Sequence, residues 1–225
     1  MPQILNKPNQ SLPELIAELS QVSDQCWGLY AFEQDLLKNK FTTKEKHRII
    51  IASIACGYQW AETVREIHGD YSITQLVASY GLQIEANHTA PLANRIGYAL
   101  YTPPKGIELM TEPIAKVSKL LGECLHVSPS QLTDIILAHE LYHHIECEEA
   151  EVYTQMEQVV LWRFLFYKHR SQVRAASEIA AMSFAQQMNK LNFSPFVLDV
   201  LLAYAYNPLH GERIYQQMIK LKGVI

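Results

Sequence analysis

Two histidines, His139 and His143, stand four positions apart in the run Ala-His-Glu-Leu-Tyr-His and carry the clearest chemical signal in this sequence. In a helix, side chains with this spacing share one face, with Cβ atoms about 5–6 Å apart. Two imidazole nitrogens can then bind one zinc ion at about 2.0–2.1 Å. Glu140 is too close along the helix to complete the coordination, but it can hold a water molecule and take its proton. The spacing therefore predicts two zinc ligands and a general base.

A catalytic zinc site uses three protein ligands and one open position, whereas a structural site is closed by four ligands. Glu178 is the candidate third ligand, within an alanine- and serine-rich helix predicted from about Val173 to Met188. Small side chains allow this helix to approach the motif helix closely. The competing interpretation places Glu178 at the exposed edge of a core helix. Glu146 or Glu149 would then substitute, although the acidic run that contains them is typical of a solvated surface.

The helix that would hold the two histidines has a strong start signal. Ser128-Pro129-Ser130-Gln131 combines an N-cap serine, a proline at the first helical position and a glutamine at the third. The helix is predicted to run through His143. The side that carries His139 also carries apolar residues and should face the interior: Leu132, Ile135 and Ile136.

The remaining elements predict the fold class α+β, mostly helical, with a small antiparallel sheet before the motif helix. Helices are expected from Leu12 to about Gln83, with starts at Ser11, Thr42 and Ser72. Short apolar runs at 82–85, 96–101 and 106–110 predict the strands, and turn residues separate them, among them Pro91, Asn94 and Pro103-Pro104. A helix is expected near Pro113 to Leu121.

Beyond the motif helix, the aromatic-rich stretch from Glu148 to Arg170 is compatible with helix or strand. Two short helices are expected to start near Ser194-Pro195 and near Pro208. We expect a single compact unit of three parts. Residues 1–70 form a helical region packed on the core, 71–190 form the core with the metal site, and 191–225 form C-terminal helices.

Composition limits the classes of partner. The chain has 225 residues, 48% hydrophobic and 19% charged, as in ordinary globular proteins. Its net charge of −4 argues against nucleic acid or an anionic membrane as the main partner. Residues 75–82 resemble half of a helix-turn-helix, but a plain helix ending at Gly81 is favoured because few basic residues flank it.

No apolar run approaches the roughly 18 residues of a membrane span, and the amino-terminal segment lacks the pattern of a secretory signal. The 4 cysteines form no CxxC pair. We therefore expect reduced cysteines and a cytoplasmic protein.

The order of these parts resembles the short gluzincins of the ImmA/IrrE type. The matching segments are Ala138–His143 and Glu178–Ala185, and the resemblance spans about residues 72–188. It implies a zincin-like fold and a zinc metalloendopeptidase, with His139, His143 and Glu178 on the metal and Glu140 as the base. It also implies an edge strand that binds extended peptide, and a peptide or protein substrate such as a regulatory protein.

The sequence departs from that family in three respects. The interval from His143 to Glu178 is 178 − 143 = 35 residues, which is longer than expected. The Leu-Leu-x-Pro ending after the alanine-rich helix is absent, and so is an Asp near Glu178 that would orient a histidine ligand.

Two other classes of function remain open. One is a non-catalytic zincin-like module that binds a partner peptide. The other is a ferritin-like di-metal protein, suggested by the pairs Glu85-x-x-His88, Glu123-x-x-His126 and Glu140-x-x-His143. The first of these pairs lies in a strand-like segment, which argues against a bundle.

Several side chains could donate to an oxyanion, and the sequence does not choose among them: Tyr98, Tyr101, Tyr142, His68, His88, His126, His144 and His210.

Overall fold

A computed structural model describes residues 10–88, 96–165 and 167–223 and is mostly helical with two small sheets. The helices are α1 (Leu12–Leu19), α2 (Asp24–Gln34), α3 (Thr43–His68), α4 (Ile73–Ser79), α5 (Thr111–Leu125), α6 (Pro129–Glu148), α7 (Tyr153–Met156), α8 (Arg174–Met188), α9 (Val197–Tyr206) and α10 (Pro208–Lys222). The strands are β1 (Gln83–Asn87), β2 (Ala99–Thr102), β3 (Gly106–Met110), β4 (Gln158–Phe164) and β5 (Tyr167–Gln172). The α+β expectation is confirmed at this level. Pro91, Asn94 and Phe166 lie outside the described residues.

Four of the predicted helix starts are confirmed at the atomic level. Ser11, Thr42, Ser72 and Ser128 are N-caps, and each donates its backbone N–H to the side chain three residues later at 2.8–2.9 Å. The side chains of Thr42, Ser72 and Ser128 also accept a hydrogen bond from the backbone N–H three residues later at 3.2–3.3 Å. These bonds satisfy amide groups that a helix start leaves without partners. Gly81 follows α4 with φ of +71° and leads into β1, so the segment is a capped helix and not a helix-turn-helix.

The core is built around α6, α8 and α3. The apolar stripe of α6 is buried as predicted, and α6 packs against α8, which in turn packs against α3. Gly57 of α3 allows this second contact, because a Cβ there would lie 2.2 Å from the backbone oxygen of Ala180 in α8. A glycine is therefore required where these two helices cross.

The larger sheet differs from the predicted one. Its strand order is β1-β3-β2, with β3 antiparallel to β2 but parallel to β1, so the sheet is mixed and the expectation of an antiparallel sheet was wrong. β3 carries the buried Ile107 and occupies the central position. Because β3 lies between the two earlier strands, β1 acquires a parallel neighbour, and β2 forms one edge.

The aromatic-rich stretch forms one short helix, α7, and an antiparallel hairpin of β4 and β5. The base of the hairpin is tied to α3, because both guanidinium nitrogens of Arg48 bind the carboxylate of Glu157 at 2.8–2.9 Å. The last helix, α10, has 15 residues and is longer than expected. None of the helices in the described ranges has the length and apolar character needed to cross a membrane.

Candidate metal centre

Three side chains converge where α6 packs against α8. His139 and His143 come from the middle of α6 and Glu178 comes from the second turn of α8. One ligand atom from each residue lies within 4.8 Å of the others, and among the described residues this is the only group of its kind. The structure thus brings together the three residues that the sequence named as metal ligands.

The distances within this group suit a small tetrahedral ion. The two Nε2 atoms of His139 and His143 are 3.0 Å apart, and Nε2 of His139 is 3.5 Å from Oε2 of Glu178. Ligands at about 2.0–2.1 Å from a tetrahedral zinc are separated by about 3.3 Å. The donor set of two imidazoles and one carboxylate is also that of catalytic zinc sites. The residues present therefore fit zinc.

Burial favours the neutral form of the His139 ring. Burial, followed by the neighbouring His143, lowers the pKa of His139 to about 4. The ring is therefore neutral near pH 7 and can offer a lone pair. Its Nδ1 is buried and has no hydrogen-bond partner among the described residues.

Glu140 lies beside the group and is itself buried. Burial raises the pKa of Glu140 to about 7, and the nearby charge of Glu178 acts in the same direction. A hydrogen bond from the backbone of Tyr101 in β2 opposes this shift. A carboxyl group with a pKa near 7 can both accept and return a proton at neutral pH, as a general base requires.

Glu146 was misassigned from the sequence. It was expected on a solvated acidic surface, but it is buried, with Oε2 only 3.5 Å from Nδ1 of His143 and 2.6 Å from Oγ of Ser177. Burial acts to raise the pKa of Glu146, but hydrogen bonds from His143, Ser177 and Thr154 bring it below its ordinary value.

The Glu146 carboxylate lies behind the His143 ring and outside the group of three candidate ligands. His143 meets His139 through Nε2 and faces Glu146 through Nδ1. A carboxylate that orients a metal-binding histidine usually lies at the ring nitrogen that does not bind the metal. Glu146 therefore lies where a carboxylate could orient the His143 ring, a position for which the sequence suggested no residue. The signal in the sequence was its spacing of three residues from His143, which places both on one helix face.

A cavity of about 600 Å³ opens on the metal group. Its walls include Glu140 and the two histidines on one side, and Ala99, Leu100 and Tyr101 of the edge strand β2 on the other. A second cavity of about 610 Å³ adjoins the first, and the two share Arg174, Glu178, Met182 and Asp199. The site is thus an open cleft bounded by the strand β2 and by the helices α6, α8 and α9.

Two charged cleft residues were not foreseen from the sequence. Arg174 precedes Glu178 by one turn of α8, and its Nε lies 3.6 Å from Oε1 of that carboxylate. Asp199 enters from α9, and burial, followed by the charge of Glu178, raises its pKa to about 7. Helical spacing could have revealed Arg174, but nothing local connects Asp199 to the motif helix.

Most of the candidate oxyanion donors are already engaged. The hydroxyl of Tyr98 donates to the Leu198 carbonyl at 2.6 Å, and that of Tyr101 donates to the Pro104 carbonyl at 3.0 Å while lying 2.9 Å from Nδ1 of His144. Tyr142 is fully buried, away from the cleft lining. His68, His88, His126 and His210 do not line the cavity either.

The three Glu-x-x-His pairs stay apart. Glu85 lies in β1, Glu123 lies in α5, and only Glu140 lies in the motif helix. The described residues therefore assemble one group of metal-binding side chains, as a single-metal site requires, and the di-metal interpretation has no structural support.

Comparison of the chain with protein-family models, with curated proteins and with solved structures finds no match. The resemblance to ImmA/IrrE-type metallopeptidases therefore rests on the motif segments and on the order of the elements, and the residues of the cleft carry the functional argument.

Proposed function

We propose that this protein is a zinc-dependent metallopeptidase with a zincin-like core. The observation that carries the proposal is the convergence of His139, His143 and Glu178 within 4.8 Å, with Glu140 buried next to them at the wall of an open cavity. Three protein ligands leave one coordination position for substrate or water, which separates a catalytic site from a structural one.

The catalytic residues have distinct tasks. A zinc ion held by the three ligands would polarise a substrate carbonyl and make a nearby water acidic. Glu140 accepts the proton of that water as it attacks the peptide carbonyl, and then donates the proton to the leaving amine. The pKa of about 7 favours this exchange in both directions. Glu146 holds the ring of His143 in its binding orientation.

The edge strand β2 offers a binding surface for an extended peptide. The carbonyl of Tyr98 accepts a hydrogen bond from the Met110 N–H of β3 at 2.8 Å. Because backbone groups alternate along an antiparallel strand, those of Ala99 and Tyr101 face away from β3 and toward the cleft. The Tyr101 backbone already meets Glu140, which places the general base beside the edge where a peptide would pair.

The first test measures bound zinc. Wild-type protein should bind about one zinc per chain, and His139→Ala with His143→Ala should abolish this binding because two of the three ligands are lost. Glu178→Ala should weaken it strongly. The matched control replaces two exposed histidines outside the cleft, His126→Ala with His210→Ala, and should keep the zinc. Retention of one zinc by the His139, His143 double variant would refute the metal site.

The second test measures peptide cleavage. Glu140→Gln should keep zinc but lose about 10²–10⁴-fold in rate, because Glu140 is a base and not a ligand. Proteome-wide cleavage profiles in cells that express wild type, Glu140→Gln or the control Glu123→Gln at equal zinc loading measure this loss. If the wild type and Glu140→Gln give identical profiles, the proposed peptidase activity is refuted, and the non-catalytic binding module becomes the favoured class.

A further inference from the structure

The hairpin of β4 and β5 ends in apolar side chains that are open to solvent. Trp162, Phe164 and Leu165 are 51%, 68% and 83% exposed. The base of the same hairpin is anchored, since Glu157 pairs with Arg48 and the Leu161 carbonyl accepts a hydrogen bond from Nζ of Lys40 at 3.3 Å. The base belongs to the folded body, whereas the apolar tip projects from it.

This hairpin is also cationic. Residues 158–172 contain no Asp or Glu, but they contain Arg163, Lys168 and Arg170, all exposed. The whole chain carries a net charge of −4, so the hairpin has the opposite sign to the rest of the protein. The net charge that argues against an anionic membrane partner is a property of the whole chain and does not describe this local surface.

Two features of the tip are unfavourable in the isolated protein. Leu165 has a φ of +52°, a conformation that suits glycine or asparagine in a tight hairpin turn and strains a leucine. Arg163 and Lys168 stand directly opposite each other in the register of the two strands, where like charges repel. A partner that buries the leucine and neutralises both cations would offset these costs.

We propose that this hairpin tip docks on an anionic phospholipid bilayer. Leu165 lies in the turn two residues beyond Arg163, a separation of at most about 7 Å along the chain. An interfacial segment buries its apolar side chains about 5–10 Å into the boundary between headgroups and acyl chains. With Leu165 and Phe164 at that depth, Arg163 and Lys168 reach the phosphate level, and Trp162 lies where tryptophan concentrates in membrane interfaces.

The chemistry of the tip favours lipid over nucleic acid. Aromatic and cationic residues also bind single-stranded nucleic acid, through stacking on bases and contacts to phosphates. Among the tip side chains that the structure describes, however, the most exposed is the aliphatic Leu165, which has no face on which a base can stack. Transfer of this side chain from water into hydrocarbon is energetically favourable.

Sedimentation of the full-length protein with vesicles tests the proposal. Binding should be strong to vesicles of equimolar phosphatidylserine and phosphatidylcholine, should fall with salt, and should be weak to phosphatidylcholine alone. Arg163→Gln with Lys168→Gln should weaken binding about 30-fold, since each basic residue near such a surface contributes about fivefold. Leu165→Gly should weaken it about tenfold.

These variants remain informative because both relieve a local cost and should leave the fold intact. The matched controls are Lys44→Gln with Lys119→Gln, which remove two exposed charges elsewhere, and Leu209→Gln, which removes an exposed leucine of α10. Both should bind as wild type does. The proposal is overturned if wild type does not bind the anionic vesicles, or if the tip variants bind like the controls. Stronger binding to oligothymidine than to vesicles would also overturn it and assign the surface to nucleic acid.

Discussion

Replacing Glu146 with glutamine tests whether a buried carboxylate supports the metal ligand His143. The change keeps size and shape but removes a negative charge that lies 3.5 Å from Nδ1 of the imidazole. It also alters the acceptor of the 2.6 Å hydrogen bond from Ser177, which otherwise fixes the carboxylate. The histidine therefore becomes less basic and less well oriented, while all three metal ligands remain.

The expected loss is a 10–100-fold weaker zinc affinity, or about 1.4–2.7 kcal/mol, as for other carboxylates behind histidine ligands. The burial of Glu146 places the effect toward the upper end, because a buried charge is poorly screened by water and salt. Competition with a chromophoric zinc chelator measures the affinity directly and needs no substrate.

The control is Glu149→Gln, which removes an exposed carboxylate at the end of the same helix. It should leave zinc affinity within about twofold of wild type, because exposed charges interact weakly. If Glu146→Gln binds zinc as tightly as wild type, or if both variants weaken binding equally, Glu146 does not position His143 and the reasoning fails.

Two further predictions concern stability. Gly57→Ala should lower the free energy of unfolding in urea by about 1–3 kcal/mol, because the added Cβ would lie 2.2 Å from the Ala180 carbonyl oxygen. The control is Gly122→Ala in α5, where a Cβ has room. It should leave the free energy of unfolding unchanged or raise it by up to about 1 kcal/mol. A loss of stability in both variants would contradict the steric argument. The pKa of Asp199 is raised from 3.8 to about 7, so the folded state loses stability as pH rises from about 4 to 7. In zinc-free protein, Asp199→Asn should therefore be more stable than wild type at pH 8, by roughly 4 kcal/mol at most. At pH 4 the two proteins should differ little in stability. If variant and wild type are equally stable at pH 8 as well as at pH 4, burial does not destabilise this carboxylate.

Local features of the chain were predictable because they depend on neighbours in sequence. Ser128 caps α6 through a side chain three residues away, and His139 and His143 share a face because a helix repeats every 3.6 residues. Glu140 follows from the same spacing. These properties are independent of the rest of the fold, so the sequence was sufficient to predict them.

Properties that depend on distant packing were harder to predict. The prediction of an antiparallel sheet was wrong because β3, which carries the buried Ile107, takes the central position and pairs in parallel with β1. Glu146 looked like part of a solvated acidic run, yet the packing of α8 covers it and brings Ser177 within 2.6 Å. Asp199 enters the cleft from α9, for which the sequence offered no sign.

The sequence alone was enough to predict a capped helix that presents two imidazoles and one carboxylate at a spacing suited to zinc. For Glu178, 35 residues beyond His143 (178 − 143 = 35), the sequence left two interpretations open, and helix packing distinguishes between them by bringing this carboxylate to the two histidines. The physical reason is that side chains on one helix are related by the fixed geometry of the helix, whereas residues on two helices meet only where packing allows. Here the crossing of α3 and α8 at Gly57, and the contact of α8 with α6, place Glu178 3.5 Å from His139.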